Sequence, residues 1–175
     1  MGKLSRLALS VGKLISAVPR RLVVQSLVER SFCRCGKNFH LGKRNDLRGI
    51  ENISVGNYVS FGPDMRIWTT GARVIIGDDV MFGPHVTIIS GDHRIDVKGK
   101  PMREVTPDEK LPENDQDVVI EDDVWVGANA TILKGARIPK GSVIAAGAVV
   151  TKELSEGNCI WGGVPARLFG RRFHD

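Results

Sequence analysis

The stretch Val118 to Val150, VVIEDDVWVGANATILKGARIPKGSVIAAGAVV, decides the fold. Counting from Ile120, an apolar residue returns at every sixth position, at Val126, Ile132, Ile138, Ile144 and Val150. A smaller residue falls four places after each repeat start: Val124, Ala130, Ala136, Ser142 and Ala148. Helical spacing would drift off this register within two turns. A period of six with small residues between predicts one short strand per hexapeptide, each bent at a corner, with parallel strands stacked about 4.8 Å apart. Three such strands make one triangular coil. The β-branched residue points into a narrow prism and the small one sits where the chain turns.

The same beat runs upstream as Val55, Phe61 and Ile67, then as Ile76, Phe82 and Ile88 with Val80 and Val86 at the small position. Ile67 and Ile76 are nine apart, so the register slips once, and a short corner loop is expected at Thr69 to Ala72. The repeat domain is read as starting near residue 45. With 20 glycines and 6% aromatics, the composition suits repeated tight turns around a slim core.

Between Ile88 and Ile120 the count is 32, which is not a multiple of six. Residues 98–116 are charged, carry Pro101, Pro107 and Pro112, and show no period. An excursion at about 91–117 is therefore expected, and a long excursion from a compact repeat is a place for function. It begins in Ser90–Gly91–Asp92–His93–Arg94. An imidazole is suited to taking a proton from a hydroxyl or an amine near neutral pH, which makes His93 a candidate base. Taken by itself, a lone histidine reads first as a solvated or structural side chain. His85, in Gly83–Pro84–His85–Val86, falls at a turn inside the beat and is left out of the site, as are His40 and His174 outside the coils.

Taken together, the repeat, with Val55–Gly56, Ile76–Gly77, Phe82–Gly83 and Val126–Gly127, resembles the hexapeptide-repeat acyltransferases over residues 45–172. That resemblance implies an all-β fold, a left-handed parallel β-helix with an N-terminal helical segment and a short C-terminal extension. The left hand comes from the family, because the general rule for parallel crossovers points the other way. The segment SGDHRID looks like the catalytic site of the family's sugar and xenobiotic O-acetyltransferases, which implies His93 as the general base. The later text, with GGVPARLFGRR, looks like the coenzyme A side. By that likeness Trp125 lines the groove near the thioester, and Ala128 and Ala146 allow close approach of the pantetheine arm. Thr151 and Lys152 fall near the adenosine-phosphate end, with Arg167 as a phosphate contact. Taken alone, each alanine and Thr151 also satisfies simple corner chemistry. The resemblance further implies acetyl-CoA as acyl donor, no metal, and a homotrimer with active sites between subunits. Asp64, Arg66 and Asp92 are tentative acceptor-side residues. The acceptor is expected to be a sugar hydroxyl of a cell-surface polysaccharide; the alternatives are an antibiotic or other small acceptor, or a non-catalytic β-helix used for binding or assembly.

The charge is uneven. Residues 1–44 hold ten Lys and Arg against Glu29 alone, while the remainder is net negative within an overall charge of +5. Leu4, Leu7, Ala8, Val11, Leu14, Ile15 and Val18 follow helical spacing up to Pro19, and a second short helix is expected over Leu22 to Val28. This basic segment, 1–44, reads either as a cap on the solenoid end or as a peripheral membrane contact through residues 1–30. No span of about 18 apolar residues accumulates there. Cys33, Cys35 and Cys159 fit reduced thiols and a cytoplasmic location, possible contact with the inner membrane face included. Zinc at Cys33, Cys35 and His40 lacks a fourth ligand, and the γ-type carbonic anhydrase on the same fold needs a third histidine that His85 and His93 do not have. Nucleic-acid binding is disfavoured by the absence of interleaved aromatics.

Overall fold

The structure is a computed structural model and describes residues 23–173. The helix expected over residues 4–18 lies outside the described residues. The chain divides into two units, 1–31 and 32–175. Within the first, α1 (Gln25–Ser31) carries a Gln25–Glu29 side-chain hydrogen bond of 2.9 Å, and the Ser31 hydroxyl donates to the Leu27 carbonyl at 2.9 Å. Val23 and Val24 lead into it as a π turn, within the stretch where the sequence suggested a second short helix, and it runs on to Ser31.

The second unit is a left-handed parallel β-helix. Its first coil is β1 (Arg34–Cys35), β2 (His40–Leu41) and β3 (Asp46–Arg48); its second is β4 (Ile53–Val55), β5 (Ser60–Phe61) and β6 (Arg66–Trp68). The third coil is β7 (Val74–Ile76), β8 (Met81–Phe82) and β9 (Thr87–Ile89). After the loop follow β10 (Val118–Ile120), β11 (Trp125–Val126) and β12 (Thr131–Leu133), then β13 (Arg137–Ile138), β14 (Val143–Ile144) and β15 (Val149–Val150). Corresponding strands stack into three walls, and the second wall is finished by β16 (Cys159–Gly162) and the antiparallel β17 (Arg167–Arg171).

The six-residue beat is the inward face of these walls: Ile120, Val126, Ile132, Ile138, Ile144 and Val150 are all buried. The beat also continues upstream of the boundary read at residue 45. Cys35 pairs with Val55, Leu41 with Phe61 and Leu47 with Ile67, so a full coil begins at Arg34. The early coil escapes a count of aliphatic residues because a cysteine occupies one inward position and Phe39 takes the small position held by Val59 above it. The buried phenylalanines gather at this end, where Phe39, Phe61 and Phe82 stack edge to face at 5.0 and 5.4 Å. Downstream, aliphatic residues fill the same column.

The loop leaves the prism without disturbing it. Val118, Val119 and Ile120 pair with Val74, Ile75 and Ile76, and Ile132 with Ile88, so the wall resumes in register on the far side. Residues 90–117 are thus a corner insertion between the third and first walls. The slip at Thr69 to Ala72 occupies the same corner one coil earlier, where β6 hands over to β7.

Candidate functional site

The loop stands on a stem. Ser90 is buried, and its hydroxyl donates to the Ala72 carbonyl at 3.2 Å, tying the outgoing limb to the corner below. Gly91 forms an antiparallel bridge with Asp115 on the returning limb. The Asp92 amide donates to the Asn114 carbonyl at 2.8 Å and the Gln116 amide to the Ser90 carbonyl at 3.0 Å. Glycine at 91 leaves room for this closure, because a Cβ there would displace the Asp115 carboxylate and the Thr70 hydroxyl, which are hydrogen-bonded to each other.

Beyond the stem the loop braces itself with polar contacts. Pro107 and Pro112 open two of its three short 3-10 turns, positions where a missing amide costs nothing. Glu109 accepts from the Thr106 amide at 2.7 Å and hydroxyl at 3.0 Å and pairs with Lys100 at 2.6 Å. The Lys100 ammonium first, and the Thr106 donors after it, push the Glu109 carboxyl down to about 2. Arg94 pairs with Asp96 at 2.8 Å and donates to the Glu109 carbonyl at 2.8 Å.

His93 projects from the top of the stem into a cleft of about 470 Å3 lined by Thr70, Gly71, Arg94, Val105, Pro107, Lys110 and Asp115. Its side chain is exposed, and among the described residues its ring has no hydrogen-bond partner. Lys110 pairs with Asp115 at 2.7 Å. Burial pushes the Asp115 carboxyl up, but the bonds from Lys110 and Thr70 outweigh it and hold the group below the ordinary range. Both cleft cations, Arg94 and Lys110, are therefore already paired.

The Asp92 carboxylate is turned to the stem and the wall. It accepts from Asn114 Nδ2 at 2.8 Å and pairs with Lys134 Nζ at 2.9 Å. Asp64 and Arg66 do not line the cleft. Asp64 occupies the corner between the second and third walls, the far end of the third wall from the loop, and is engaged by Arg44 at 2.6 Å. That bond holds its carboxyl below the ordinary range. Arg66 lies on the outer face of β6 beside Thr87.

The expected donor residues form a separate group. Trp125 stands on the outer face of the second wall, 52% exposed, between Met81 and Val143. Ala128 and Ala146 stack one above the other at the next corner, where the Gly147 amide donates to the Ala128 carbonyl at 2.9 Å. Neighbouring backbone is so close there that a Cβ on Gly127 would lie 2.7 Å from the Ala146 amide nitrogen. Thr151 and Lys152 are exposed after β15, and Arg167, on β17, is exposed with its guanidinium turned to the Ala166 carbonyl at 3.0 Å. Within one prism Trp125, Ala128 and Ala146 flank one end of the third wall, and His93 stands at the other.

Sequence reading missed Thr70, Lys110, Asn114, Asp115 and Lys134, all of which hold the stem or line the cleft. Thr70 falls in the expected Thr69–Ala72 corner; Lys110, Asn114 and Asp115 lie in the aperiodic segment, and Lys134 is one corner residue among many in the regular repeat. Among the described residues no three His, Cys, Asp or Glu side chains gather as a metal site, and no helix is long and apolar enough to cross a membrane.

A coiled prism of hexapeptides, interrupted once by a histidine-bearing loop, defines a class, and comparison with known proteins agrees. Residues 117–152 match the family described as bacterial transferase hexapeptide (six repeats). The galactoside O-acetyltransferase of Lactococcus lactis is 32% identical over 142 residues, covering 80% of this chain and 56% of that protein. A hexapeptide-repeat-containing acetyltransferase of Vibrio cholerae, solved with acetyl coenzyme A, superposes with a TM-score of 0.74 at 26% identity, covering 86% of this chain and 76% of that one. A galactoside acetyltransferase in complex with coenzyme A gives 0.73 at 25% identity, covering 85% and 70%. The chain thus carries the hexapeptide repeat of this transferase family and shares the fold of its acetyltransferases. It spans about half the length of the Lactococcus lactis relative.

Proposed function

We propose that this protein is an O-acetyltransferase that moves an acetyl group from acetyl-CoA to a sugar hydroxyl, by direct transfer with His93 as general base. The observation that carries this reading is the placement of His93: an unpartnered imidazole on a braced stem, open to a cleft of substrate size, at the single long interruption of the repeat. Its ring nitrogen takes the proton from the acceptor hydroxyl while that oxygen attacks the thioester carbonyl, and the proton goes on to the departing thiolate. No covalent acyl-enzyme is needed. The pairing of Arg94 with Asp96 and of Lys110 with Asp115 leaves the cleft without uncompensated charge, which suits a neutral polyhydroxyl acceptor.

Trp125, Ala128 and Ala146 form a fitting donor surface: an exposed aromatic beside a corner of small residues where an extended arm can lie against backbone. Thr151, Lys152 and Arg167 belong to the phosphate end of the same donor. Because this surface and His93 stand at opposite ends of one wall, a complete site needs a second copy, and a homotrimer with sites between subunits supplies it. Asp64 and Arg66 can serve the acceptor only across such a boundary. The setting is cytoplasmic, with the basic residues of segment 1–30 available to an anionic membrane surface.

The test is an acceptor screen with acetyl-CoA and a free-thiol readout, run beside His93→Ala. The variant should lose about 10²- to 10⁴-fold in turnover with coenzyme A affinity kept within about twofold. Near-full turnover in His93→Ala sinks the assignment of the base. Absence of any coenzyme A binding by calorimetry sinks the enzymatic reading altogether and leaves a β-helix used for binding or assembly.

A further inference from the structure

Lys134 is the first residue after β12, at the corner directly above the one from which the loop departs. Its ammonium does two things at once: it pairs with Asp92 Oδ2 at 2.9 Å and donates to the Glu113 carbonyl. Asp92 is on the outgoing limb, one residue before His93, and Glu113 is on the returning limb, two residues before Asp115. One cation thus ties both limbs of the stem to the wall. The anchor itself is rigid, because Thr131, Ile132 and Leu133 pair with Thr87, Ile88 and Ile89, the strand that runs directly into Ser90. Next to it, Gly135 adopts φ +72°, and a Cβ there would lie 2.6 Å from Gln116 Oε1, so the corner is built close against the foot of the returning limb.

The electrostatics give the contact a purpose beyond a surface ion pair. Asp92 and Asp115 face each other across the stem closely enough for the charge on Asp92 to raise the Asp115 carboxyl. Each carboxylate has its own lysine, Lys110 for Asp115 and Lys134 for Asp92. Without Lys134, Asp92 keeps Asn114 as its partner, but its own charge beside Asp115 is left without a direct counter-ion. An ordinary exposed pair contributes little to stability, so the effect of losing Lys134 should be on geometry more than on folding.

We propose that Lys134 is a positioning residue for His93: it holds the stem shut and the imidazole in place without touching either substrate. This rests on the reading of His93 as the base. Lys134→Met keeps the aliphatic stem and removes the charge, and Lys134→Arg restores a cation. In Lys134→Met, amide exchange at Asp92 and Gln116, whose N–H groups close the stem, should rise at least about tenfold, while exchange at Val126 and Ile132 in the walls stays unchanged. Turnover with the sugar that responds in the screen should fall about 10- to 100-fold with the KM for acetyl-CoA unchanged. Lys134→Arg should recover most of both. Added to His93→Ala, Lys134→Met should cost nothing further, since it acts only through that imidazole. Unchanged stem exchange overturns the proposal, as does faster exchange with wild-type turnover, or a raised KM for acetyl-CoA at unchanged kcat. Full activity in His93→Ala alone would strike the base assignment instead, and so tells the two failures apart.

Discussion

The coils at residues 118–150 and the loop at 90–117 solve the same problem, satisfying backbone and side chains, by opposite means. In the coils each strand residue meets its counterpart one coil away: Val119 and Ile120 pair with Arg137 and Ile138, Trp125 and Val126 with Val143 and Ile144. Repetition supplies the hydrogen bonds and the core together. In the loop nothing repeats, and its order comes from individual side chains, with Glu109 closing a turn, Asn114 bonding Asp92, and Lys110 and Lys134 each holding a carboxylate. The regular region should therefore carry stability and the irregular one chemistry, and substitutions can break that division.

The largest stability effect should come from the wall. Ile132 is completely buried and flanked by Ile88 and Val150, so Ile132→Ala removes a core side chain with little room for collapse. A loss of about 2–5 kcal/mol is expected by denaturant melting, with turnover per folded molecule nearly unchanged. A variant of wild-type stability but lowered turnover would invert the division.

Next comes Gly91→Ala. The added methyl must push apart Thr70 and Asp115, the contact that closes the stem. Turnover should drop about 10- to 100-fold through displacement of His93, while the walls keep their melting behaviour. Turnover equal to wild type would show that the stem has slack and that its closure does not govern the imidazole.

This contrast also explains what the sequence discloses. Ile120 to Val150 disclose the walls because an inward position is a matter of spacing, and the nine-residue step from Ile67 to Ile76 discloses a corner loop for the same reason. The first coil is obscured only where Cys35 and Phe39 stand in for aliphatic residues. His93 could be singled out by its place at the break and by family likeness, but its supports could not. Lys134 reads as any lysine at a corner, and its pairing with Asp92, 42 positions earlier, follows from the loop closing on itself. Asp64 and Arg66 illustrate the same limit, since nearness in the repeat does not say which corner of the triangle a residue occupies.

The smallest effect is expected from mild acid. Glu109 titrates at about 2, below its ordinary 4.5, because Lys100 and Thr106 favour its charged form. Asp92 is also held low: burial raises it, and the bonds from Lys134 and Asn114 more than offset that. A carboxylate with a depressed folded value contributes stability above its unfolded value and loses it as pH falls through the folded one. The loop's bracing should then be intact from neutral pH to about 4.5 and fail between there and about 2, while the apolar core of the walls, which has no charge to titrate, holds longer. Pepsin cleavage mapped along the chain should stay absent from residues 98–116 at pH 5 and appear there at pH 2 to 3, before far-UV circular dichroism shows loss of the coils. Cleavage in the loop already at pH 5 would mean that something other than these carboxylates holds it.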